Sequence, residues 1–534
     1  MIMKTTGYRF EKRWFMLDYA RMRSFDRTEM TLLLDVLGRC GYNGIGLYLE
    51  GSYAVPGIPG TPRTGSLTQE DADLLKEECA KRGLFLFPMS NSVYHMENYL
   101  CQERYDDLRD PGPHERYQLR FEDPAAADFV LTRLRGVQTM FGASLVHIGG
   151  DEAILPPERL EPYARFVAGL CRTLLAEGVT PAIWGDLFWA HPELTDLLPR
   201  ETVIFDWYYN GHRRESLHFF KGQGFTEVYP CPCDDSFTHF INAQLYQATD
   251  PVPVGPGEIE AFLQDGADEG CTGAVMTHWE DINGHILWSS LLPIARAGLF
   301  LSGKWDPDTD EGEQVEPLLF GHMTPYTQIT HLLRDTVTNR TAERYPAHFP
   351  SHAIWRGDLA RMVLTKPAGF WQDCIESYPK ARAALPLLDA WQPAGAVEAL
   401  VKDAMVTILA EVEASLAMLL VADGRRLWHE AALAQFENGP DSRFTAPQTE
   451  LLRRIREAED ACRRAGETFL HAIRNTGISD QPLRFQRRVL ALLQGVYDRV
   501  RICRDDPALR QIALPTWYEL VTDWEFTEGG TVDE

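Results

Sequence analysis

Positive charge and long apolar stretches are both scarce in this sequence. Its 52 lysines and arginines stand against 77 aspartates and glutamates, which gives a formal net charge of −25 at pH 7. Because basic surfaces bind phosphate groups, this balance argues against a nucleic-acid partner, and it also argues against docking to an anionic membrane. No stretch approaches the roughly 18 uninterrupted apolar residues of a transmembrane helix, so we expect no membrane span.

Cysteine is sparse, and no leader segment is evident. The ten cysteines are scattered along 534 residues. Cys231 and Cys233 could form half of a redox or metal site, but no second pair completes it, so two small residues in a tight loop are the preferred interpretation. The start of the chain, Met1 to Arg13, has no apolar core of signal-peptide length. These features predict a cytoplasmic, reduced protein.

The first part of the chain alternates short β-rich runs with amphipathic helical stretches. Apolar residues recur at helical spacing in Arg27–Cys40, Gln69–Arg82, Pro124–Phe141 and Pro157–Glu177. The eight candidate strands between them are Trp14–Tyr19, Gly44–Leu49, Leu84–Pro88, Leu145–Ile148, Thr180–Trp184, Val203–Trp207, Thr226–Tyr229 and Ala274–His278. Alternating strand and helix units imply a parallel sheet, and eight of them imply a (β/α)8 barrel.

The pattern changes after Pro307, where convincing strands end. Apolar residues at helical spacing continue through Val397–Leu419, Leu451–Ile473 and Phe485–Cys503. We therefore predict an α/β fold with a catalytic (β/α)8 TIM barrel at residues 1–310, followed by an all-helical C-terminal region at residues 311–534. The helical region would pack on the barrel or on a second subunit, which leaves a homo-oligomer open.

Polar and aromatic residues follow the candidate strands, at the end where barrels of this kind carry their active sites. Any one of them could be a chance loop residue, but the repetition across all eight strands favours a functional surface. These residues are Asp18, Arg21, Glu50, Asn91, His95, Asp151, Glu152, Trp184, Asp186, Trp207, Tyr208, Tyr229, Asp234, Trp279, Glu280 and Asp281.

The stretch from Leu145 to Glu152 carries the strongest functional signal. A short apolar run ends in two glycines and two adjacent carboxylates, Asp151 and Glu152. The glycines permit unusual backbone angles, which could turn both carboxylates into one pocket, where they can take different pKa values and different roles. The structural alternative, in which Asp151 caps a helix and Glu152 lies in its first turn, explains neither the glycines nor the strand.

His147-Ile148-Gly149-Gly150-Asp151-Glu152 resembles the His-x-Gly-Gly-Asp-Glu signature of glycoside hydrolase family 20, the exo-acting β-N-acetylhexosaminidases. Tyr94-His95-Met96-Glu97 resembles the family's Gly-His-x-Glu segment, with a tyrosine in place of the glycine. The resemblance covers roughly the first 310 residues. Many members carry a small α/β domain before the barrel, and we expect none here, because this chain has no room for one before its first candidate strand.

The resemblance implies retaining, substrate-assisted cleavage of terminal β-linked GlcNAc or GalNAc, in which the substrate's acetamido oxygen forms an oxazolinium intermediate. It implies that Glu152 is the general acid, with a raised pKa, and that Asp151 stays ionised and stabilises the acetamido group. His95 would support the acid indirectly. The family chemistry needs no metal and no cofactor.

The resemblance also implies a set of substrate contacts. Three tryptophans at strand ends would enclose the N-acetyl group and stack on the sugar, and a tyrosine hydroxyl would orient the acetamido oxygen, with Tyr208, Tyr229 or neither in that role. Arg21 would bind the O3 and O4 hydroxyls, and Glu280 would bind O4 or O6, with Asp281 as the fallback. The predicted substrate-binding residues are Arg21, His95, Trp184, Trp207, Tyr208, Tyr229, Trp279, Glu280 and Asp281.

Three other interpretations stay open. A metal-dependent hydrolase could use His147, Asp151 and Glu152 as ligands, although no tight ligand pair supports it. A non-catalytic sugar-binding barrel could keep the tryptophans, although it would not need the intact carboxylate pair. An enzyme of related chemistry could cut inside chitin-like chains. The sequence separates neither GlcNAc from GalNAc preference nor one aglycone from another.

Overall fold

A computed structural model of the chain describes residues 10–21, 25–58, 65–112, 114–208, 214–233, 258–279, 286–337, 378–438, 445–475 and 481–505. Eight parallel strands lie in one sheet in the order β7-β6-β5-β4-β3-β2-β1-β8. Their bounds are β1 Lys12–Asp18, β2 Gly44–Tyr48, β3 Phe85–Met89, β4 Leu145–His147, β5 Thr180–Trp184, β6 Val203–Trp207, β7 Val228–Cys231 and β8 Gly273–His278. The predicted (β/α)8 barrel is confirmed.

The sheet closes at two seams. Strand β1 pairs with β8 in register from Lys12 opposite Gly273 to Leu17 opposite His278. The seam between β7 and β8 is joined by a bridge between Cys233 and Thr277, where the Thr277 amide donates to the Pro232 carbonyl over 2.9 Å. All eight carboxyl strand ends therefore meet on one rim.

Helices cover the outside of the barrel. They are α1 Arg27–Cys40, α2 Gln69–Lys81, α3 Glu97–Leu100, α4 Pro124–Phe141, α5 Pro157–Ala176, α6 Asp186–Ala190, α7 Arg214–Gly222, α8 Glu258–Asp268 and α9 Leu291–Leu301, with 3₁₀ turns at Glu103–Leu108, Pro192–Leu197 and Leu287–Ser290. Their ends follow local rules: Asp26 caps α1 by accepting from the Glu29 amide, and Gly41 ends it with φ of 97°. The helices that connect successive strands hold the rim loops in place.

The inside of the barrel is aromatic. Trp14, Phe87, Trp184, Phe205 and Tyr229 form a buried interior cluster that is separate from the apolar layer between strands and helices. Their rings lie in contact around Phe205, with centroids 4.9 to 6.4 Å apart where Trp14 meets Phe87 and Phe205. Large interdigitated rings give a rigid floor beneath the rim.

One predicted strand is misplaced. The sequence placed β7 at Thr226–Tyr229, two residues too early at both ends. The strand instead runs to Cys231, with Pro230 paired opposite Asp206 of β6. Tyr229 therefore lies inside the strand and not at its end, which matters for the site below.

The described chain after Gly303 is helical, as predicted. Its helices are α10 Glu311–Phe320, α11 Tyr326–Val337, α12 Leu385–Ala390, α13 Ala396–Asn438, α14 Thr445–Ala472 and α15 Gln481–Asp505, with a 3₁₀ turn at Ile473–Asn475. Arg454 on α14 ties it to α13 by donating to the Leu420 carbonyl over 2.8 Å and pairing with Asp423 at 2.9 Å. None of the described helices combines the length and apolar character needed to cross a bilayer. The domain boundary at residue 310 stays a prediction.

Candidate active site

The loop after β4 has an unusual backbone. Gly149 and Gly150 have φ of 69° and 92°, and Glu152 follows with φ of 52°, a left-handed conformation that side chains other than glycine rarely adopt. A Cβ atom on Gly149 would lie 2.0 Å from Oδ1 of Asn91, so only glycine fits there. The Tyr163 hydroxyl donates to the Gly150 carbonyl and fixes the turn. The two glycines thus bring both carboxylates to the rim, as the sequence predicted.

His95 joins the two carboxylates. Its Nε2 lies 3.0 Å from Oε2 of Glu152 and 3.7 Å from Oδ2 of Asp151. The Asp151 side chain is 12% exposed, whereas the Glu152 side chain is 50% exposed. The buried aspartate and the accessible glutamate can therefore serve different functions in one site. His95 also has a positive φ, 57°, so two strained loops meet at this contact.

The pKa values of Asp151, Glu152 and His95 shift in different directions. Burial raises the pKa of Asp151 well above the usual aspartate range, and the Asp186 and Glu152 carboxylates add to it while His95 opposes it. The hydrogen bond from His95 holds the pKa of Glu152 below its usual value. Burial lowers the pKa of His95, but the Glu152 hydrogen bond and the Asp151 charge outweigh it and raise that pKa to about 9.

These directions contradict the sequence-based expectation that Glu152 has a raised pKa and that Asp151 is readily ionised. The physical reason is the position of His95, because an imidazolium 3.0 Å from Glu152 favours its carboxylate form. Around neutral pH the proton of this pair therefore lies on His95, one hydrogen bond away from Glu152. The pair together holds the proton that a general acid needs.

A buried ion pair supports the His95 loop. Glu50, which follows β2 and has φ of 35°, pairs with Arg133 of α4 at 2.8 Å, and both side chains are buried. Oε1 of Glu50 accepts from the Asn91 amide over 2.5 Å, and Arg133 donates to the Asn91 carbonyl over 2.8 Å. Burial raises the pKa of Glu50 to about 7 even against the opposing charge of Arg133. This network fixes Asn91, the residue that packs against Gly149.

Sequence reasoning missed Arg133, although a signal for it exists. Val130, Leu134 and Val137 mark the buried face of α4, and Arg133 lies on that same face. A charged residue on an apolar helix face requires a buried partner. Glu50 was noted only as one of many polar residues at strand ends.

Arg21 lies on the rim as predicted. Its Nη1 donates to Oδ2 of buried Asp18 over 2.7 Å, which fixes the guanidinium at the end of β1. The guanidinium lies over the rings of Tyr48 and Trp279, at 5.6 and 5.5 Å from their centroids. Tyr48, the last residue of β2, is a further rim residue that sequence reasoning missed, and its hydroxyl accepts from the Asn91 side chain over 3.0 Å.

The three predicted tryptophans lie around the carboxyl rim. Trp184 is buried at the end of β5, and its ring centroid lies 5.9 Å from that of Trp279. Trp207 ends β6 and lies close to Asp186, where its side chain opposes the rise in the pKa that burial causes in that carboxyl. Trp207 and Trp279 are partly exposed and pack on the interior cluster. The rim therefore has the aromatic walls that a sugar ring requires.

Tyr229 is not a rim residue, and its predicted role in the site is wrong. Its hydroxyl donates to Glu227 and accepts from Nζ of Lys12 over 2.7 Å, and Lys12 is the first residue of β1. Tyr229 lines a recess of about 450 Å³ at the amino end of the barrel, together with Trp14 and Phe85. Because β7 continues two residues past Tyr229, this side chain lies in the half of the barrel opposite the carboxylates.

Tyr208 follows Trp207, so its side chain lies on the other side of the chain. It packs on the apolar layer between strands and helices, whereas Trp207 packs on the interior cluster. Its predicted contact with the acetamido group stays a prediction. Glu280 and Asp281, predicted to bind sugar hydroxyls, lie outside the described residues, and so does Asp234.

The sequence suggested His147, Asp151 and Glu152 as possible metal ligands, but the structure brings a different set of side chains together. His147 is buried, accepts the Gly149 amide at Nδ1 over 3.1 Å, and has a pKa lowered to about 3 by burial. His95, Asp151 and Glu152 instead offer ligand atoms that all lie within 4.8 Å of one another. These three donors could hold a divalent cation, which makes a metal-independence test necessary.

Comparisons with known proteins give similarity of structure only. No family model matches the chain, and no curated protein matches it. The β-N-acetylhexosaminidase from Bacteroides fragilis NCTC 9343 is similar at 19% identity and a TM-score of 0.45, over 58% of this chain and 69% of that one. The GH20 β-N-acetylhexosaminidase from Streptomyces coelicolor A3(2) is similar at 19% identity and a TM-score of 0.45, over 59% and 68%.

The N-acetyl-β-hexosaminidase of Streptomyces plicatus, solved in complex with Thio-NAglucal, is similar at 18% identity and a TM-score of 0.44, over 58% of this chain and 67% of that one. These similarities concern the fold. The assignment therefore depends on the residues of this chain.

Proposed function

We propose that this chain is a retaining, exo-acting β-N-acetylhexosaminidase of the glycoside hydrolase family 20 type. It would remove terminal β-linked GlcNAc or GalNAc from a glycan. The observation that supports this proposal most is the buried Asp151 next to the accessible Glu152, with His95 in contact with both. Substrate-assisted cleavage requires two carboxylates in unequal roles, and these two differ in both burial and charge.

The first step breaks the bond between the anomeric carbon and the leaving oxygen. The acetamido oxygen of the substrate attacks that carbon, and the leaving oxygen takes a proton from Glu152. His95 supplies this proton to Glu152 through their 3.0 Å hydrogen bond as the leaving oxygen becomes basic. Asp151, ionised in the reactive complex, accepts the acetamido N–H and stabilises the positive charge that develops on that group.

The second step reverses the proton transfer. Glu152 removes a proton from water, the water oxygen attacks the anomeric carbon, and the oxazolinium ring opens to give the β-configured sugar. The two inversions together retain the configuration. Burial of Asp151 assists both steps, because a positive charge is stabilised more strongly by a carboxylate that water does not screen.

The rim supplies contacts for the sugar itself. Trp184 and Trp279 form the aromatic surface against which the N-acetyl group and the ring would lie. Arg21 is held on the rim by Asp18, and its guanidinium would donate to sugar hydroxyls. A site built to pair hydroxyl groups penalises a ligand that lacks them, so Arg21→Ala should raise KM more than it lowers kcat.

The test is the release of 4-nitrophenol from the aryl β-glycosides of GlcNAc, GalNAc and glucose, with EDTA present. Turnover of both acetamido sugars without turnover of glucose supports the proposal, and their ratio measures tolerance at O4. Equal turnover of glucose contradicts substrate assistance. No release of 4-nitrophenol from any of the three substrates favours a sugar-binding barrel or an endo-acting enzyme.

A metal-dependent hydrolase is the second candidate, because His95, Asp151 and Glu152 form a compact donor set. Metal binding requires a neutral imidazole, whereas Glu152 and Asp151 raise the pKa of His95 to about 9. Activity that EDTA removes and Zn²⁺ restores would favour this candidate over the first.

A further inference from the structure

Asp186 connects two parts of the rim that lie on different strands. It follows Trp184 and Gly185 at the end of β5 and is the first residue of α6. Its Oδ2 accepts from the backbone amide of Glu152 over 3.0 Å. Trp207, at the end of β6, lies close enough to the same carboxylate for its side chain to lower the pKa of that group. One side chain therefore bridges the loop of the acid and an aromatic wall.

The bridge matters because the Glu152 backbone is strained. With φ of 52°, this residue is in the left-handed region, which is unfavourable for a residue that has a Cβ atom. Such a conformation persists only where surrounding contacts determine it. The hydrogen bond to Asp186 is a contact that the amide of Glu152 makes directly. Loss of that acceptor would allow the loop to relax and would move the Glu152 carboxyl.

We propose that Asp186 is a positioning residue for the hydrolysis described above. It holds Glu152 in place relative to Trp207. This inference rests on the proposed function. Strands β4, β5 and β6 are consecutive in the sheet, so a carboxylate after β5 can reach both neighbours. Asp186 acts through the main chain of Glu152 and through the Trp207 ring, and takes no part in bond making.

Asp186 also adds a third carboxylate to a crowded site. The groups that face it are Asp151 and Glu152 on the β4 loop, Trp207 on β6 and Tyr163 on α5, while His95 and Arg21 act on the neighbouring carboxylates. Burial and the Glu152 charge raise the pKa of Asp186, and Asp186 in turn raises that of Asp151. Removing its charge should let Asp151 ionise at lower pH.

The experiment compares Asp186→Asn and Asp186→Ala with the exposed control Asp308→Asn. Asparagine keeps one acceptor oxygen for the Glu152 amide, whereas alanine keeps none. Each protein is assayed with phenyl and 2,4-dinitrophenyl β-GlcNAc across the pH range. A misplaced acid impairs the phenyl substrate most, because the dinitrophenyl leaving group needs little protonation.

We expect Asp186→Ala to lower kcat for the phenyl substrate about 100-fold and for the dinitrophenyl substrate less than about 10-fold, since small displacements of catalytic groups have effects of this size. Asp186→Asn should fall between wild type and alanine. In both variants the acidic limb of the pH profile should move to lower pH. Equal losses on both substrates with an unmoved acidic limb would overturn the inference while leaving the proposed function intact.

A second readout needs no substrate. A group whose pKa is raised in the folded state loses its stabilising effect as pH rises through that pKa. Between about pH 5 and pH 8, the melting temperature of the wild type should therefore fall more than that of Asp186→Asn. The control Asp308→Asn should behave like the wild type. If the wild type proves inactive, the proposed function fails and this comparison still decides whether Asp186 is coupled to Asp151. Identical pH dependence in wild type and Asp186→Asn would overturn the coupling.

Discussion

The contact of His95 with the two carboxylates can be measured through stability alone. The pKa of His95 is raised from 6.5 to about 9 in the folded protein. Because one pKa unit corresponds to about 1.4 kcal/mol, this shift corresponds to about 3 kcal/mol of preferential proton binding by the folded state. That stability is fully present below the unfolded-state pKa and is lost as pH rises through about 9.

The perturbation is His95→Gln, and the assay is urea unfolding at about pH 6 and about pH 10. The destabilisation caused by the substitution should be larger at the lower pH, by at most about 3 kcal/mol and at least about 1 kcal/mol. The first figure is an upper limit because His95 also lowers the pKa of Asp151, which titrates differently in the variant.

The matched control is His218→Gln. His218 makes the same kind of contact with Glu269, at 2.9 Å, but its side chain is 77% exposed. Exposed ion pairs contribute about 0–1 kcal/mol, so this substitution should cost little stability at either pH. A His95→Gln destabilisation that is equal at both pH values would refute the charged His95–Glu152 pair, and with it the proton supply proposed above.

Three further predictions concern the acid, the glycine turn and the buried ion pair. Glu152→Gln should slow hydrolysis of phenyl β-GlcNAc by about 10²- to 10⁴-fold and of the 2,4-dinitrophenyl glycoside far less, and equal losses would remove Glu152 from the acid role. Gly149→Ala should destabilise the fold by more than Gly178→Ala, because Gly178 has a similar φ of 78° but open space around it. A denaturant titration that gives equal destabilisation for the two variants would contradict the predicted clash with Asn91. Arg133→Met should lower the free energy of unfolding by about 3–5 kcal/mol, because it leaves Glu50 buried without its partner. The double variant with Glu50→Gln should recover part of that loss, and additive losses would argue against the ion pair.

The sequence predicted regular elements well where one periodicity dominates. Helix α1 and strand β5 have the predicted bounds, because each has an uninterrupted pattern and clear end signals. The site motif was also recognised, since two glycines before two carboxylates are hard to explain by packing. The positive φ values of Glu50, His95 and Glu152 were not predictable, because tertiary contacts and not local preference impose them.

The errors have identifiable physical causes. Tyr229 was placed on the rim because it was the last residue of the predicted strand, whereas the strand continues for two more residues and Tyr229 lies in the other half of the barrel. The pKa directions of Asp151 and Glu152 depend on burial and on a histidine 57 residues away in sequence from Glu152. A sequence motif specifies neither the distance between His95 and the two carboxylates nor the burial of Asp151.

The most direct test of the central claim varies the nucleophile within the substrate. The rate of 4-nitrophenol release is measured from β-glucosaminides that carry acetyl, fluoroacetyl, difluoroacetyl and trifluoroacetyl groups on nitrogen. Each fluorine makes the amide oxygen a weaker nucleophile. Substrate assistance predicts that kcat falls steeply with each added fluorine. A kcat that stays constant across the series would contradict attack by the acetamido oxygen and would point to an enzyme or water nucleophile.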